Sequence, residues 1–331
     1  MRFLCTIMAK RTFKQAWKDC CGFIRKPFPI ATPVPTPPPL VRKLKGLNMA
    51  NATNFAGATD FQPVLNSMGV DVQRHPGGTA ALSYHPTTES LEIMADMAIA
   101  AGSAVLWVQN MTNGTVDEML LTMRYFKSRG VNVVGMEADN EGYLRQHQTT
   151  FPTAYVYLEK AKIFIDALKV EFPDIPVGIV VAPSTAMKDP DSSEGGTGIQ
   201  RLIDWNNIVL ASKLGDASII HCYTAPADIA AFVPAAVAHV QAVITARDKP
   251  VWLTEYNISL DNVYTGAQTP TQYNFIQGMI AAMTAIARVQ FMVLHNCAAS
   301  GARNNTITIT GDGHGGSTAA LNGLGTAYQA M

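Results

Sequence analysis

Two glutamates are the residues of this chain best placed to do chemistry. Glu141 closes the run Val133-Val134-Gly135-Met136-Glu137-Ala138-Asp139-Asn140-Glu141, and Glu255 closes Pro250-Val251-Trp252-Leu253-Thr254-Glu255. Each stands where a hydrophobic, strand-like run gives way to polar residues. A carboxyl can give a proton, accept one, or attack an electron-poor carbon. Two carboxyls facing one cleft can divide those tasks when their surroundings set their pKa values apart. Glycosidic bond cleavage uses such a pair. It requires both groups at the same end of one sheet, so the elements that carry them must be counted.

Short apolar runs, many of them β-branched, fall at 44–49, 70–74, 104–109, 131–136, 177–181, 217–221, 251–254 and 289–294. They read as strands buried on both faces. Amphipathic or capped stretches at 60–68, 88–101, 115–128, 153–171, 199–214, 229–247, 271–287 and 318–330 read as helices, one after each strand. Eight strand–helix units in one domain imply an α/β fold, a closed (β/α)8 TIM barrel over 41–331. The competing open, doubly wound sheet would want a glycine-rich nucleotide loop after its first strand, where Gly46-Leu47-Asn48 stands instead. Thr306–Thr310 alternates after the eighth strand and is expected to form a small hairpin on the rim.

Composition narrows the partners. The 331 residues are 48% hydrophobic, enough for a large core. Twenty-five basic residues balance 25 acidic ones, so no global field favours nucleic acid or an anionic membrane. Residues 1–40 form a basic tail and a proline-rich linker, densest from Pro33 to Pro39, that reads as a semi-rigid spacer. Its apolar run, Phe3 to Met8, is too short to span a bilayer. The expectation is therefore no membrane span, with a tail that tethers the barrel or docks it to another component. The compartment stays open, with secretion or surface association compatible with the tail. Asn-x-Thr triplets at Asn51, Asn110 and Asn113 matter only on a eukaryotic secretory route. The five cysteines have no metal or disulfide spacing, and Cys222 and Cys297 lie in apolar runs as expected buried thiols. No metal and no cofactor are expected.

In a barrel of this kind the active site collects at the C-terminal ends of the strands. Those ends carry Asn48, Arg74, His75, Asn110, Asn140, Glu141, Ala182, His221, Tyr223, Glu255, Tyr256, His295 and Asn296. Seven of the eight ends offer a polar group, and the set carries more weight than any single residue. Glu141 and Glu255 follow the fourth and seventh runs, which face each other across a barrel mouth.

Three ordered stretches give the sequence a family likeness. Glu137-Ala138-Asp139-Asn140-Glu141, Thr254-Glu255 within Val251 to Asn257, and Arg74-His75-Pro76-Gly77-Gly78-Thr79 resemble the motifs of retaining (β/α)8 glycoside hydrolases, in their heparanase-like, arabinofuranosidase-like and xylosidase-like branches. The resemblance covers roughly 44–331. It implies that Glu141 is the acid/base and Glu255 the nucleophile. It further implies that Asn140 binds the sugar 2-hydroxyl, that Tyr223 touches the nucleophile, and that Arg74 pairs with Glu255 or shapes that pocket. His75, His221, Asn48, His295 and Tyr256 complete the expected substrate-binding set. Three departures stand out. Asp139 replaces a usual glycine, His295 stands near where many relatives place a tryptophan sugar platform, and no second domain fits beside the barrel. Glu137 is expected to point into the barrel as a structural group, and Trp107 to pack in the core or line the site. Glu194, Asp261 and Asp312 are expected to be solvated loop residues, and 183–198 a loop that could fold over a ligand.

The sequence thus points to a retaining glycoside hydrolase acting on a polysaccharide or oligosaccharide. The alternative from another class is a catalytically weak barrel kept for carbohydrate binding or assembly. A metabolic phosphate-binding barrel is a third reading, but Gly266 alone is a poor phosphate loop after the seventh strand.

Overall fold

The computed structural model describes residues 43–50, 52–184, 197–224, 229–258, 270–300, 306–310 and 317–330. The tail and linker, most of the 183–198 loop, and Glu194, Asp261, Gly266 and Asp312 lie outside them.

Eight parallel strands close into a barrel in sequence order: β1 (Lys43–Asn48), β2 (Val72–His75), β3 (Ala104–Gln109), β4 (Val133–Ala138), β5 (Val177–Val180), β6 (Ala217–Thr224), β7 (Val251–Ile258) and β8 (Val289–Leu294). β8 returns to pair with β1, so no edge is left. The wall helices are α1 (Phe61–Ser67), α2 (Thr88–Ala101), α3 (Val116–Ser128), α4 (Ala154–Glu171), α5 (Thr197–Ala211), α6 (Ile229–Arg247) and α7 (Pro270–Thr284). The expected (β/α)8 barrel is the fold found.

Local chemistry starts these helices where the sequence says. The Thr115 hydroxyl accepts from the Glu118 amide while Glu118 accepts from the Thr115 amide at 2.7 Å, a reciprocal cap on α3. Thr87 and Ser90 do the same for α2. α6 holds an 18-residue stretch, Ala230–Arg247, with mean hydropathy 1.3, long and apolar enough by composition to cross a membrane. In the barrel it packs on β6 and β7 and buries Phe232, Ala236, Val240 and Val243.

One large side chain packs in the lower barrel beside Leu106 and Ile219. Trp252 of β7 lies against Gly135 of β4 and Gly178 of β5, where an added Cβ would come within 2.7 Å of indole carbons. Glycine on those two strands makes room for an indole that floors the site, with its Nε1 donating to Gln290 at 3.0 Å. Trp107 faces the other way, edge-on to Phe126 of α3, and belongs to the packing between sheet and helix. Cys222 and Cys297 are free and buried, as expected.

The chain after β8 departs from expectation. Thr306–Thr310 does form a hairpin strand, β10 (Ile307–Thr310), but its antiparallel partner is β11 (Thr318–Leu321), and β9 (Ala298–Ser300) pairs on its other side. The expected helix 318–330 therefore shortens to α8 (Gly323–Gln329), capped by the Asn322 side chain accepting from the Gly325 amide at 3.0 Å. Thr-Ala-Ala-Leu has helix propensity to spare, yet the unpaired edge of β10 offers it a ladder.

Candidate active site

The alternation of a strand explains most of the site. On β2, Arg74 points into the barrel while its neighbours Gln73 and His75 point at the helices. Arg74 is wholly buried and is the hub of the interior. Its Nε and Nη2 donate to the two Glu137 oxygens at 2.7 and 2.8 Å, Nη2 also donates to Asn140 Oδ1 at 2.8 Å, and Nη1 donates to Glu255 Oε1. Burial works against the charge, but the Glu137 and Glu255 carboxylates outweigh it and raise the guanidinium pKa.

Glu255 owes its direction to an irregularity. Between β6 and β7 the register steps from Ile220 opposite Leu253 to His221 opposite Glu255, so Thr254 is one extra residue in β7. Such a bulge switches which side chains face inward. Trp252 and Glu255, three apart, can therefore both face the interior. Asn48 of β1 donates to Glu255 Oε1 at 3.0 Å, and the Tyr223 hydroxyl of β6 donates to Oε2 at 2.5 Å. Burial would raise this carboxyl, but the charges of His221 and Arg74 and the Tyr223 hydroxyl hold it well below the usual carboxylate range. Glu255 is ionised at neutral pH.

Glu141 lies in the loop after β4. Its Oε1 accepts from the Tyr143 hydroxyl at 3.1 Å and sits 2.8 Å from His221 Nδ1. His221 Nδ1 is also 3.7 Å from Glu255 Oε2, and its Nε2 bonds Thr254 Oγ1 at 3.1 Å. Burial alone would keep His221 neutral, yet Glu255 and Glu141 raise its pKa above the ordinary value. One oxygen of each glutamate and a His221 nitrogen all lie within 4.8 Å of one another. These three side chains have the composition of a metal site, but two carboxylates flanking an imidazole equally describe a proton-transfer cluster. Arg74 already holds one Glu255 oxygen with a positive charge, which favours the second reading.

The backbone around Glu141 is bent sharply. Asp139 and Glu141 have φ of 73° and 48°, in the left-handed region, where a residue with a side chain carries about 1–3 kcal/mol of strain. Surrounding contacts hold it there. Arg201 of α5 donates to the carbonyls of Gly142, Tyr143, Phe151 and Pro152 at 2.6 to 3.0 Å, gathering the loop from outside. Tyr157 of α4 donates to Ala138 O at 2.8 Å and accepts from Val180 N at 2.9 Å, pinning the ends of β4 and β5 together.

The Pro76-Gly77-Gly78 turn closes the other side. A Cβ on Gly77, whose φ is 77°, would fall 1.8 Å from Asn48 Oδ1. Gly77→Ala should therefore displace Asn48 from Glu255 and lower kcat/KM on the order of 10²-fold with the fold retained, as misplacing one catalytic contact does. Steady-state rates beside a thermal melt would check this, and an unchanged rate would show that the turn is mere scaffold.

The residues expected at the site divide cleanly by position. Asn48, Arg74, Asn140, Glu141, His221, Tyr223, Glu255 and His295 come together at the mouth. His295 Nδ1 lies 2.8 Å from Asn48 Nδ2 and 3.8 Å from Glu255 Oε2, and its ring meets Tyr223 edge-on at 5.9 Å. Burial lowers its pKa, so it stands there as a neutral hydrogen-bonding ring. His75 and Tyr256, each next in sequence to an inward residue, point away from the mouth. His75 Nε2 bonds Gln73 Oε1 at 3.0 Å, and Gln73 reaches Met97 O of α2. Burial lowers the His75 pKa to about 3. Tyr256 is buried against Tyr328 of α8. The expectation that these two bind substrate is corrected by simple strand alternation. Asn110 holds its own loop, accepting from Asn113 N at 2.9 Å and donating to Tyr84 O at 3.1 Å. Tyr143, Thr254 and Arg201 join the site without having been expected there. Only the proximity of Tyr143 and Thr254 to the two glutamates marks them, and nothing in the sequence marks Arg201.

No protein-family model matches the sequence, and no curated protein matches it. Solved structures do. An α-L-arabinofuranosidase from Thermotoga maritima, in complex with arabinose, superposes with TM-score 0.65 at 16% identity over 88% of this chain and 70% of its own. A β-glycosidase gives TM-score 0.61 at 12% identity over 89% and 97%. An endo-β-1,3-glucanase from Amycolatopsis mediterranei, in complex with laminaripentaose, gives 0.52 at 17% over 87% and 99%. At these identities the likeness establishes the barrel fold.

Proposed function

We propose that this protein is a retaining glycoside hydrolase acting on a polysaccharide or oligosaccharide. The observation that carries the reading is the pair itself, with oxygens of Glu141 and Glu255 within 4.8 Å across the mouth. Retaining enzymes hold their carboxyls about 5–5.5 Å apart, and inverting ones about 6.5–9.5 Å to admit a water. The arabinofuranosidase, glycosidase and glucanase barrels that share this fold support the same reading.

The roles follow from the surroundings. Glu255, held ionised, attacks the anomeric carbon. As that bond forms, the bond to the leaving oxygen breaks and Glu141 gives that oxygen its proton. The resulting glycosyl ester on Glu255 is then opened by a water whose proton returns to Glu141. Glu137 is the other glutamate near the end of β4, but both its oxygens are taken by Arg74 and it is fully buried. Glu141, 12% exposed, can meet a leaving group where Glu137 cannot. Asn140 Oδ1 is engaged by Arg74, so its side-chain nitrogen, which also reaches Glu141 Oε2 at 3.5 Å, is the group that can meet a sugar hydroxyl. His295 offers hydrogen bonds where a flat platform would offer stacking area, which weakens substrate affinity more than bond breaking. The basic tail and proline-rich spacer, 1–40, would act as an attachment arm, a role their composition supports.

Proton NMR of the first product released from a cleaved glycan or aryl glycoside tests the mechanism. The account expects the anomer of the substrate, and the opposite anomer would refute double displacement. Sugar binding to Glu255→Gln by calorimetry, with no turnover by wild type across a broad glycan screen, would instead favour a carbohydrate-binding barrel.

A further inference from the structure

Asp139 stands between the last residue of β4 and Asn140. It is fully buried and adopts a left-handed backbone that Asp tolerates better than most residues. Its carboxylate does not face the mouth. Oδ1 accepts from the Asn140 amide at 2.7 Å, Oδ2 accepts from Thr112 Oγ1 at 3.3 Å, and the Met111 amide also donates to the group. Met111 and Thr112 belong to the loop after β3. Lys160 of α4 donates to Thr112 O at 3.2 Å and directs its charge at the same carboxylate. The two loops have no ladder between them at this point, because the pairing of β3 with β4 ends at Gln109 and Ala138.

We propose that Asp139 is a positioning residue: its carboxylate bridges the loop after β4 to the loop after β3 and thereby fixes Asn140 and the Glu141 carboxyl. This rests on the assignment of Glu141 as acid/base. Two left-handed residues flank Asn140, so the turn needs an external hold, and the Asp139 side chain supplies one on the inner side of the loop. Ionised, it accepts from three donors. Protonated at Oδ2, the group becomes a donor there: the Thr112 hydroxyl can turn to accept from it, but an acceptor site is given up and the Met111 contact weakens.

That change falls in an accessible range. Burial raises the Asp139 pKa to about 7, against the pull of the Asn140, Thr112 and Met111 hydrogen bonds and of Lys160. Tyr157 of α4 also feels this charge. The folded value lies above the unfolded one, so ionisation costs the fold stability as pH rises from about 4 to about 7. The same ionisation completes the bridge. The loop is therefore held best at the neutral to alkaline end, where the fold carries the greater cost.

Hydrogen exchange read by mass spectrometry, with Asp139→Ala and Asp139→Asn, tests the bridge without any substrate. Asparagine keeps the shape and an acceptor for the Asn140 amide but cannot ionise. Asp139→Ala is expected to speed exchange at pH 8 in peptides covering 108–116 and 137–144 and nowhere else, and Asp139→Asn, whose side-chain nitrogen cannot accept from Met111 or Thr112, to speed it there by a smaller factor. Wild type at pH 5, corrected for intrinsic rates, should show the loosening of Asp139→Asn, and Asp139→Asn itself should not change between pH 5 and pH 8. Unchanged exchange in Asp139→Ala would overturn the proposal. Phenyl and 2,4-dinitrophenyl glycosides of a sugar the wild type cleaves then report on Glu141. A group acting through a general acid should cost at least about tenfold in kcat on the phenyl leaving group and under about threefold on the dinitrophenyl one. Equal losses on both would mean Asp139 is structural only. Equal losses in Glu141→Ala would instead remove the acid/base assignment, with the exchange result left standing.

Discussion

Glu255→Ala abolishes turnover, by at least about 10⁴-fold in kcat, because without the carboxylate no glycosyl ester can form. That factor corresponds to about 5.4 kcal/mol of transition-state stabilisation. The fold should survive. Arg74 keeps both Glu137 oxygens and Asn140, and the Tyr223 hydroxyl gains room to turn. Glu255→Gln should be as inactive while still binding sugar, since the amide keeps the shape and an oxygen for Asn48. Rates on an aryl glycoside with matched circular dichroism spectra check both variants. A variant within tenfold of wild type would take the nucleophile role from Glu255.

Arg74→Met should damage the fold and the chemistry together. Removing one partner of a buried ion pair costs roughly 3–5 kcal/mol, because the other partner is left charged and unpaired. Here two carboxylates lose their cation, Glu137 with no exposure at all and Glu255 with 5%. The pH dependence gives the sign. The Glu255 pKa is depressed in the folded protein, so its ionisation contributes stability that is present above the unfolded carboxylate value, near 4.5, and is lost as pH falls towards the folded one. Without Arg74 most of that contribution goes. The stability gap between wild type and Arg74→Met should therefore be widest near neutrality and narrow below about pH 4.5. Urea unfolding at pH 7 and pH 4 measures it. Equal gaps at both would mean the cost is packing rather than charge.

The barrel is legible in the sequence because its strands are apolar on both faces and its helices carry hydroxyl caps. The boundaries at β3 and β8 follow from that pattern alone, as does α6 from Ile229 to Arg247. The glutamate pair is legible because each ends such a run. Alternation also speaks for neighbours: a residue next to an inward Arg74 or Glu255 must face the helices, which removes His75 and Tyr256 from the mouth. The inward turn of Glu255 itself is not legible. It depends on the extra residue at Thr254, and a bulge leaves no mark in composition. The same holds for contacts made across long stretches of chain. Arg201 reaches the Glu141 loop from 58 residues away, and Asp139 meets Thr112 from 27. Local propensity misleads most where a tertiary partner intervenes, at Thr318–Leu321, which β10 recruits into a sheet.

The central claim is that Glu255 forms a bond to the sugar, with Glu141 serving the leaving group. A 2-deoxy-2-fluoro glycoside with an activated leaving group slows both steps by disfavouring the oxocarbenium-like transition state, and the leaving group rescues the first, so the ester accumulates. Intact mass followed by peptide mapping would locate it. The account predicts one fluoroglycosyl adduct, on the peptide carrying Glu255, absent in Glu255→Gln and formed in Glu141→Ala. An adduct on Glu141 or Glu137, or steady turnover with no adduct and an inverted product, would contradict it.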